Sequence, residues 1–326
     1  MQIIAWMPLI FGMAPQTFLV DEVLTKIEEH QGRFITAVRS FASDGERIYG
    51  ADHAEGTLWL LDTKGRVEAY FGGPGKGPGE LQRFITSLTL DDGELKVIHA
   101  NGYRMEIFDW SGNHVDSYQT GNTPLIHQVA NHGFYAVANP GSVEWRQADQ
   151  DPLQIDLTAG KGDEGVSLYL AQHLGPYVFL CSRSGQQNRV YYVLADLETG
   201  SLADRASFSL TMTSAREDFP ADIPADAVLR IHTLAGLTVS PELGFVMDES
   251  TLNRQKYDSP RWGQLSVLHC YQPRTQTRTT MKVFMNGHPA IIAFQHLKED
   301  VWATAVSGAI QIVRLRKMSV PQPSLN

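Results

Sequence analysis

Cysteine is scarce in this chain. Its 326 residues hold two, Cys181 and Cys270. Both sit in strand-like runs, YVFLCSR and LSVLHCY, and their spacing fits no zinc or thioredoxin pattern. They read as small core residues, and nothing in the sequence argues for a disulfide between them. Positive charge is also short: 27 Lys and Arg stand against 36 Asp and Glu, a net charge of −9. A chain of that sign repels a phosphate backbone, and it has no run of basic residues, so nucleic acid is excluded as a generic partner.

Long apolar runs are missing too. The longest, Ile3 to Ala14 (IIAWMPLIFGMA), is too short to span a bilayer, so no transmembrane segment is expected. It has the length of a signal-peptide apolar region, with the small residues Gly12 and Ala14 at a cleavage spacing. No Lys or Arg precedes it, and Pro15 follows. Residues 1–17 are therefore expected to be a signal-like or disordered segment. The chain is then periplasmic or secreted, or cytoplasmic if Met1–Ala14 is not a signal. Amphipathic helical patterns longer than three turns are absent. So are the zinc-binding H-E-x-x-H, the H-x-H pair and the G-x-S-x-G elbow of serine hydrolases.

What is present is a repeat. Ile35-Thr36 recurs as Ile85-Thr86, Asp44-Gly45-Glu46 as Asp92-Gly93-Glu94, and Asp62-x-x-Gly65 as Asp109-x-x-Gly112, at offsets of 50, 48 and 47 residues. Three landmarks in one order at nearly one spacing define a repeating unit. The second copy shows its parts. Ser87–Leu90 is a strand, and Asp91-Asp92-Gly93 a tight turn. Glu94–Ala100 alternates, and Asn101-Gly102 is a hairpin signal. Tyr103–Asp109 alternates again, and His114–Tyr118 is a fourth strand.

Four antiparallel strands in some 40 residues make one propeller blade, and the chain holds six such units of roughly 45 residues. Later units start near Leu125, Val166, His232 and Ala290, and residues Ser214–Ala227 read as a long loop. The sixth unit has three strands, so the strand-like Phe18–Ile27 (FLVDEVLTKI) is expected to complete it and close the ring. The fold expected is all-β: a single six-bladed β-propeller over residues 18–316, its ring closed by an N-terminal strand, with a disordered tail over 317–326.

Two motifs narrow this. Phe71 to Leu81 reads FGGPGKGPGEL, and the next unit closes on Ile107-Phe108-Asp109-x-x-Gly112. A Gly-rich connector followed by a strand ending in this way resembles the NHL-repeat propellers. More narrowly, it is similar to the bacterial six-bladed proteins of that superfamily, over residues 35–121. The resemblance implies the fold. It leaves the role open among scaffolds, extracytoplasmic sensors, binding proteins and channel-metal enzymes such as lactonases and the peptide-amidating lyase. None of those enzymes' metal ligands transfers to a position here, so no metal or other cofactor is expected. The connector is not a phosphate loop, because Lys76 is followed by Gly77 rather than Ser or Thr and a strand follows rather than a helix.

One pattern suggests a site. Arg33-Phe34-Ile35-Thr36, Arg83-Phe84-Ile85-Thr86 and Arg230-Ile231-His232-Thr233 each begin a unit. In a propeller, equivalent positions lie on a ring around the central channel. Ile126-His127 and Gly287-His288 fall near the same point of the third and sixth units. Together they predict a funnel of Arg33, Arg83, Arg230, His127, His232 and His288, suited to a carboxylate or phosphate that guanidinium groups grip in a fork. The opposing reading makes the arginines staples between blades. The tryptophans Trp59, Trp110, Trp145, Trp262 and Trp302 read as inter-blade packing. Three functions follow: a non-enzymatic propeller binding a small anionic ligand or a protein partner, a structural module of an envelope assembly, and a lactonase- or lyase-like channel-metal enzyme.

Overall fold

The computed structural model describes residues 16–318 apart from 84, 120–124, 130–133, 140–141, 148–150, 152, 157–165, 185–188, 200, 210–227, 255–262 and 287–290. The expected loop at 214–227, the N-terminal run and the tail from 319 onward lie outside these residues. The chain opens with β1 (Gln16–Ile27) and a short hairpin of β2 (Glu29–His30) and β3 (Arg33–Phe34). Blade one is β4 (Val38–Ser43), β5 (Arg47–Asp52), β6 (Thr57–Asp62) and β7 (Val67–Gly72). Blade two is β8 (Ser87–Asp91), β9 (Glu94–His99), β10 (Arg104–Asp109) and β11 (His114–Gln119). Blade three is β12 (Leu125–Val129), β13 (Phe134–Asn139), β14 (Ser142–Gln147) and β15 (Leu153–Asp156). Blade four is β16 (Val166–Leu174), β17 (Tyr177–Ser184), β18 (Arg189–Asp196) and β19 (Ser201–Ser209). Blade five is β20 (Val228–Ser240), β21 (Gly244–Arg254), β22 (Gly263–Gln272) and β23 (Thr277–Asn286). Blade six has β24 (Ile291–Lys298), β25 (Val301–Val306) and β26 (Ala309–Lys317).

Each blade is an antiparallel meander, and β1 supplies the fourth strand of blade six. It runs antiparallel to β26 from Phe18 opposite Lys317 to Ile27 opposite Ile310. Its first residues, Gln16 to Leu19, also pair in parallel with Met281 to Phe284 of β23, which joins blades five and six into one sheet. The inner strands β4, β8, β12, β16, β20 and β24 touch one another in that order, and β24 returns to β4. This closed ring of six four-stranded sheets is a six-bladed β-propeller.

The repeated motifs fold alike. Asp62 Oδ1 accepts the Lys64 and Arg66 N–H groups, and Gly65 N–H donates to Asp62 O. Asp109 Oδ1 accepts the Ser111 and Asn113 N–H groups, and Gly112 N–H donates to Asp109 O. Both glycines have positive φ, +81° and +89°, which a side chain would strain. A Cβ on Gly112 would also lie 2.4 Å from Phe71 of the preceding blade.

Packing is between blades. Ile48, Trp59 and Leu61 of blade one share a buried cluster with Ala303, Ile310 and Ile312 of blade six. Tyr49, Leu58 and Leu60 turn the other way, onto Leu88, Val97 and Phe108 of blade two. Period-2 alternation thus feeds one inter-blade core from each face of a strand. Trp59 is fully buried in the first of these clusters, and Trp302 in another that joins blades five and six. Trp110 is partly exposed, with the Arg47 guanidinium 5.1 Å from its ring. The side chain of Trp145 and all of Trp262 lie outside the described residues. Cys181 and Cys270 are buried free thiols. Among the described residues no helix is long and apolar enough to cross a membrane.

Candidate functional site

Each blade enters on its inner strand, so those strands start at one mouth of the channel and end at the other. A cavity of 340 Å³ lies toward the starts, and one of 260 Å³ toward the ends. Phe41, Leu88 and Gln172 line both and stand between them. Gln172 holds this partition by donating from Nε2 to Leu88 O at 3.0 Å, across the channel from β16 to β8.

The starting-side cavity owes its chemistry to a bulge. Val38 pairs with Asp52 and Ser40 with Ala51, so Arg39 is an extra residue in β4. A bulge bends the strand and re-aims a side chain. Here Arg39, Ser40 and Phe41 all line the cavity, where strict alternation would send Arg39 and Ser40 to opposite faces. The same device recurs next to cavity-lining residues in blades five and six, at Ala235 before Gly236 and at Ile292 before Ala293. Of these three bulged positions only Arg39 of blade one is charged, and the buried Asp248 of β21 also lines the cavity. Arg39 is exposed and makes no hydrogen bond or ion pair with a described residue.

Ser40 Oγ lies 3.2 Å from His53 Nε2, and both line the same cavity. Burial, helped by the Arg39 guanidinium, pushes the His53 imidazole down to about 4, so it is neutral near pH 7. The pair has the atoms of a nucleophile and base but not their tuning. A general base works best with its pKa near the operating pH, and His53 falls well below it. The carboxylate next in sequence is occupied elsewhere. Asp52 accepts the N–H groups of Thr36, Ala37, Ala54 and Glu55 and the Thr36 hydroxyl, which pins the entry to β4. The arrangement offers hydrogen bonds beside a cation.

The opposite mouth is acidic, with Asp44, Asp91 and Asp92 on its wall. Behind it runs a buried chain of polar groups linking three blades. Lys96 Nζ meets Asp91 Oδ2 at 2.5 Å, Asp91 Oδ1 lies 3.5 Å from His173 Nε2, and His173 Nδ1 lies 3.1 Å from His127 Nε2. Burial opposes the Asp91 charge, but the hydrogen bonds from His173 and Lys96 outweigh it and hold the carboxyl far below its usual range. Burial, then the neighbouring His173, keeps His127 well below an ordinary imidazole. The chain ties β8 and β9 of blade two to β12 and β16.

Of the sequence-predicted residues whose side chains are described, Arg33, Arg83 and His127 do not line the starting-side cavity. Arg33 lies against the outer half of blade one, its guanidinium 4.5 Å from the Tyr70 ring centre and its Nη1 3.4 Å from Thr57 Oγ1. Arg83 is exposed in the connector, three residues before Thr86, which lines the starting-side cavity. His127 belongs to the buried chain. Arg230 and His232 lie in β20, opposite Leu252 and Thr251, and their side chains are outside the described residues, as is all of His288. Among the described residues no three His, Cys, Asp or Glu side chains form a metal-binding group. Arg39, Ser40 and His53 were not legible in the sequence, because only the bulge brings the first two to one face.

The Gly-rich connector is clamped by blade two. Glu106, fully buried, accepts from Gly79 N–H at 3.0 Å, from Ser117 Oγ at 2.5 Å and from Arg104 Nη2 at 2.5 Å, and lies 2.9 Å from His114 Nε2. Arg104 also donates to the carbonyls of Lys76 and Gly77. His99, buried beside Glu106, accepts Gln82 N–H on Nδ1, and burial lowers its pKa to about 4. With its N–H groups and carbonyls tied to the blade in this way, the connector is a crossing loop.

No protein-family profile matches the chain, and no curated protein sequence matches it. Among solved structures it is similar to a streptogramin B lyase, with a TM-score of 0.48 at 11% identity over 90% of this chain and 98% of that one. A DUF4221-family member from Bacteroides vulgatus has a TM-score of 0.48 at 8% identity, over 93% and 98%. The Dos1 propeller has 0.45 at 12%, over 90% and 95%. Likenesses this distant carry no activity, ligand or partner across. The class, a six-bladed β-propeller, rests on the sheet order and the closed ring of inner strands.

Proposed function

We propose that this chain is a non-catalytic binding propeller that takes a small anionic ligand into the starting-side cavity. The observation that carries the reading is Arg39: a bulged, exposed cation on the cavity wall, without a described partner, in a chain of net charge −9. A guanidinium so placed offers a fork to a carboxylate or phosphate. The volume of 340 Å³ is at the low end for ligand pockets and suits a small molecule. Arg83 extends the positive rim toward the connector, and the reading includes Arg230, His232 and His288 as the rest of the funnel. The connector and the two Asp-x-x-Gly turns support a place among NHL-type propellers. The apolar run Ile3–Ala14 supports export.

A thermal-shift screen of the purified full chain tests the reading, with carboxylates, phosphates, their neutral analogues and divalent metals. A ligand that binds only the folded state raises the melting temperature by mass action. Anions are expected to raise it and their neutral amides not. A shift with metals and none with anions would transfer the case to a channel-metal enzyme.

A further inference from the structure

Arg39 shares the wall of the starting-side cavity with a charge of the opposite sign. Asp248 lines it too, from β21, one strand out from the channel. A carboxylate there would ordinarily lie behind a side chain of the inner strand. Its register partner on that strand is Gly236 of β20. Residues directly opposed on neighbouring strands put their side chains on one face, and Gly236 has none. A Cβ placed on Gly236 would meet nothing within 4 Å, so open cavity stands where that side chain would be. Asp248 thus reaches the cavity through a gap in the inner strand while staying 3% exposed.

The two charges do not close on each other. β20 comes within 8 Å of β4 at Cα, so the strand of Gly236 and the strand of Arg39 face one space. Arg39 nonetheless makes no ion pair with a described residue, Asp248 included. A carboxylate has two oxygens and about four acceptor sites, so a partner within the protein does not exhaust Asp248. A ligand that is only an anion brings its charge to Arg39 at the cost of repulsion from Asp248, and a ligand that is only a cation does the reverse. A ligand with one charge of each sign matches both. The remaining wall mixes polar side chains such as Thr86, Asn101 and Thr238 with apolar ones such as Phe41 and Leu237, so the charges are its most selective feature.

We infer that the ligand class of this cavity is a small amino carboxylate, with its carboxylate on Arg39 and its ammonium on Asp248. The inference rests on the anion-binding reading above and adds the second charge to it.

Isothermal titration of the full chain near pH 7 tests it, with glycine, β-alanine, γ-aminobutyrate and ε-aminocaproate, each beside the plain acid of the same length (acetate, propionate, butyrate and caproate). The series of lengths lets the separation of the two wall charges choose its match. Wild type is expected to bind at least one amino acid about 10-fold or more tightly than its plain acid, the size of one charge-assisted hydrogen bond. Asp248→Asn should weaken that amino acid alone and bring the two affinities together. Arg39→Ala should weaken both. Plain acids bound as tightly as their amino counterparts at every length overturn the amino-carboxylate inference and leave the anion site standing, whereas binding of none of the compounds overturns both. The wild-type ratio decides even if Asp248→Asn does not fold.

Discussion

At the scale of single residues, the histidines set how the protein responds to acid. His53 and His99 are held by burial at about 4, and His127 and His296 are also shifted down. An unfolded histidine titrates near 6.5. Between about 6.5 and 4 the unfolded chain therefore binds more protons than the folded one, so stability falls as pH falls through that window. Each such proton contributes a slope approaching about 1.4 kcal/mol per pH unit. Asp91 and Glu106 act lower: their folded carboxyls are more acidic than the unfolded ones, so their stabilisation is lost below about pH 4. The melting temperature is predicted to drop steadily from pH 7 to 4.5, with a shallower drop in His53→Gln. A flat profile over that range would contradict the burial assigned to these imidazoles.

At the scale of elements, the closing strand and the bulges behave differently with respect to sequence. The pattern FLVDEVLTKI and a three-stranded last unit were enough to place Phe18–Ile27 in blade six, and β1 begins two residues earlier. The Asp-x-x-Gly turns were legible because the Asp side chain and the positive-φ glycine leave a local signature. The bulges were not, since they depend on the register with the neighbouring strand, and the sequence alternates on both sides of Arg39 without a mark. The site residues inferred from recurring Arg-x-x-Thr therefore fell short of the cavity wall at Arg33, where Tyr70 and Thr57 engage the side chain. Without β1, β26 presents an unpaired edge. A chain starting after Ile27 is predicted to aggregate or melt far lower, and a synthetic peptide of Gln16–Ile27 added in trans should restore the melting temperature. Normal stability of the truncated chain without the peptide would show that blade six does not need its fourth strand.

At the scale of the whole molecule, the ring explains the two mouths. Six meanders entering on their inner strands gather all strand starts on one side, and the partition of Phe41, Leu88 and Gln172 keeps the sides chemically separate. One side holds the exposed Arg39 and the buried Asp248, the other Asp44, Asp92 and the Asp91 that pairs with Lys96. The number of blades was legible from strand rhythm even where blades three to six lack the Gly-rich connector, because each blade must still alternate and turn. Which side chains meet at each mouth was not legible, because that depends on residues far apart in sequence meeting around the channel.

The measurement that tests the central claim most directly compares the affinity of Arg39→Ala, Arg33→Ala and wild type for one carboxylate ligand by titration calorimetry. The account predicts that Arg39→Ala loses about 10-fold or more, as removal of a charge-assisted hydrogen bond implies, while Arg33→Ala keeps its affinity and only melts lower through the lost contact with Tyr70. Unchanged affinity in Arg39→Ala, or lost affinity in Arg33→Ala, would contradict it.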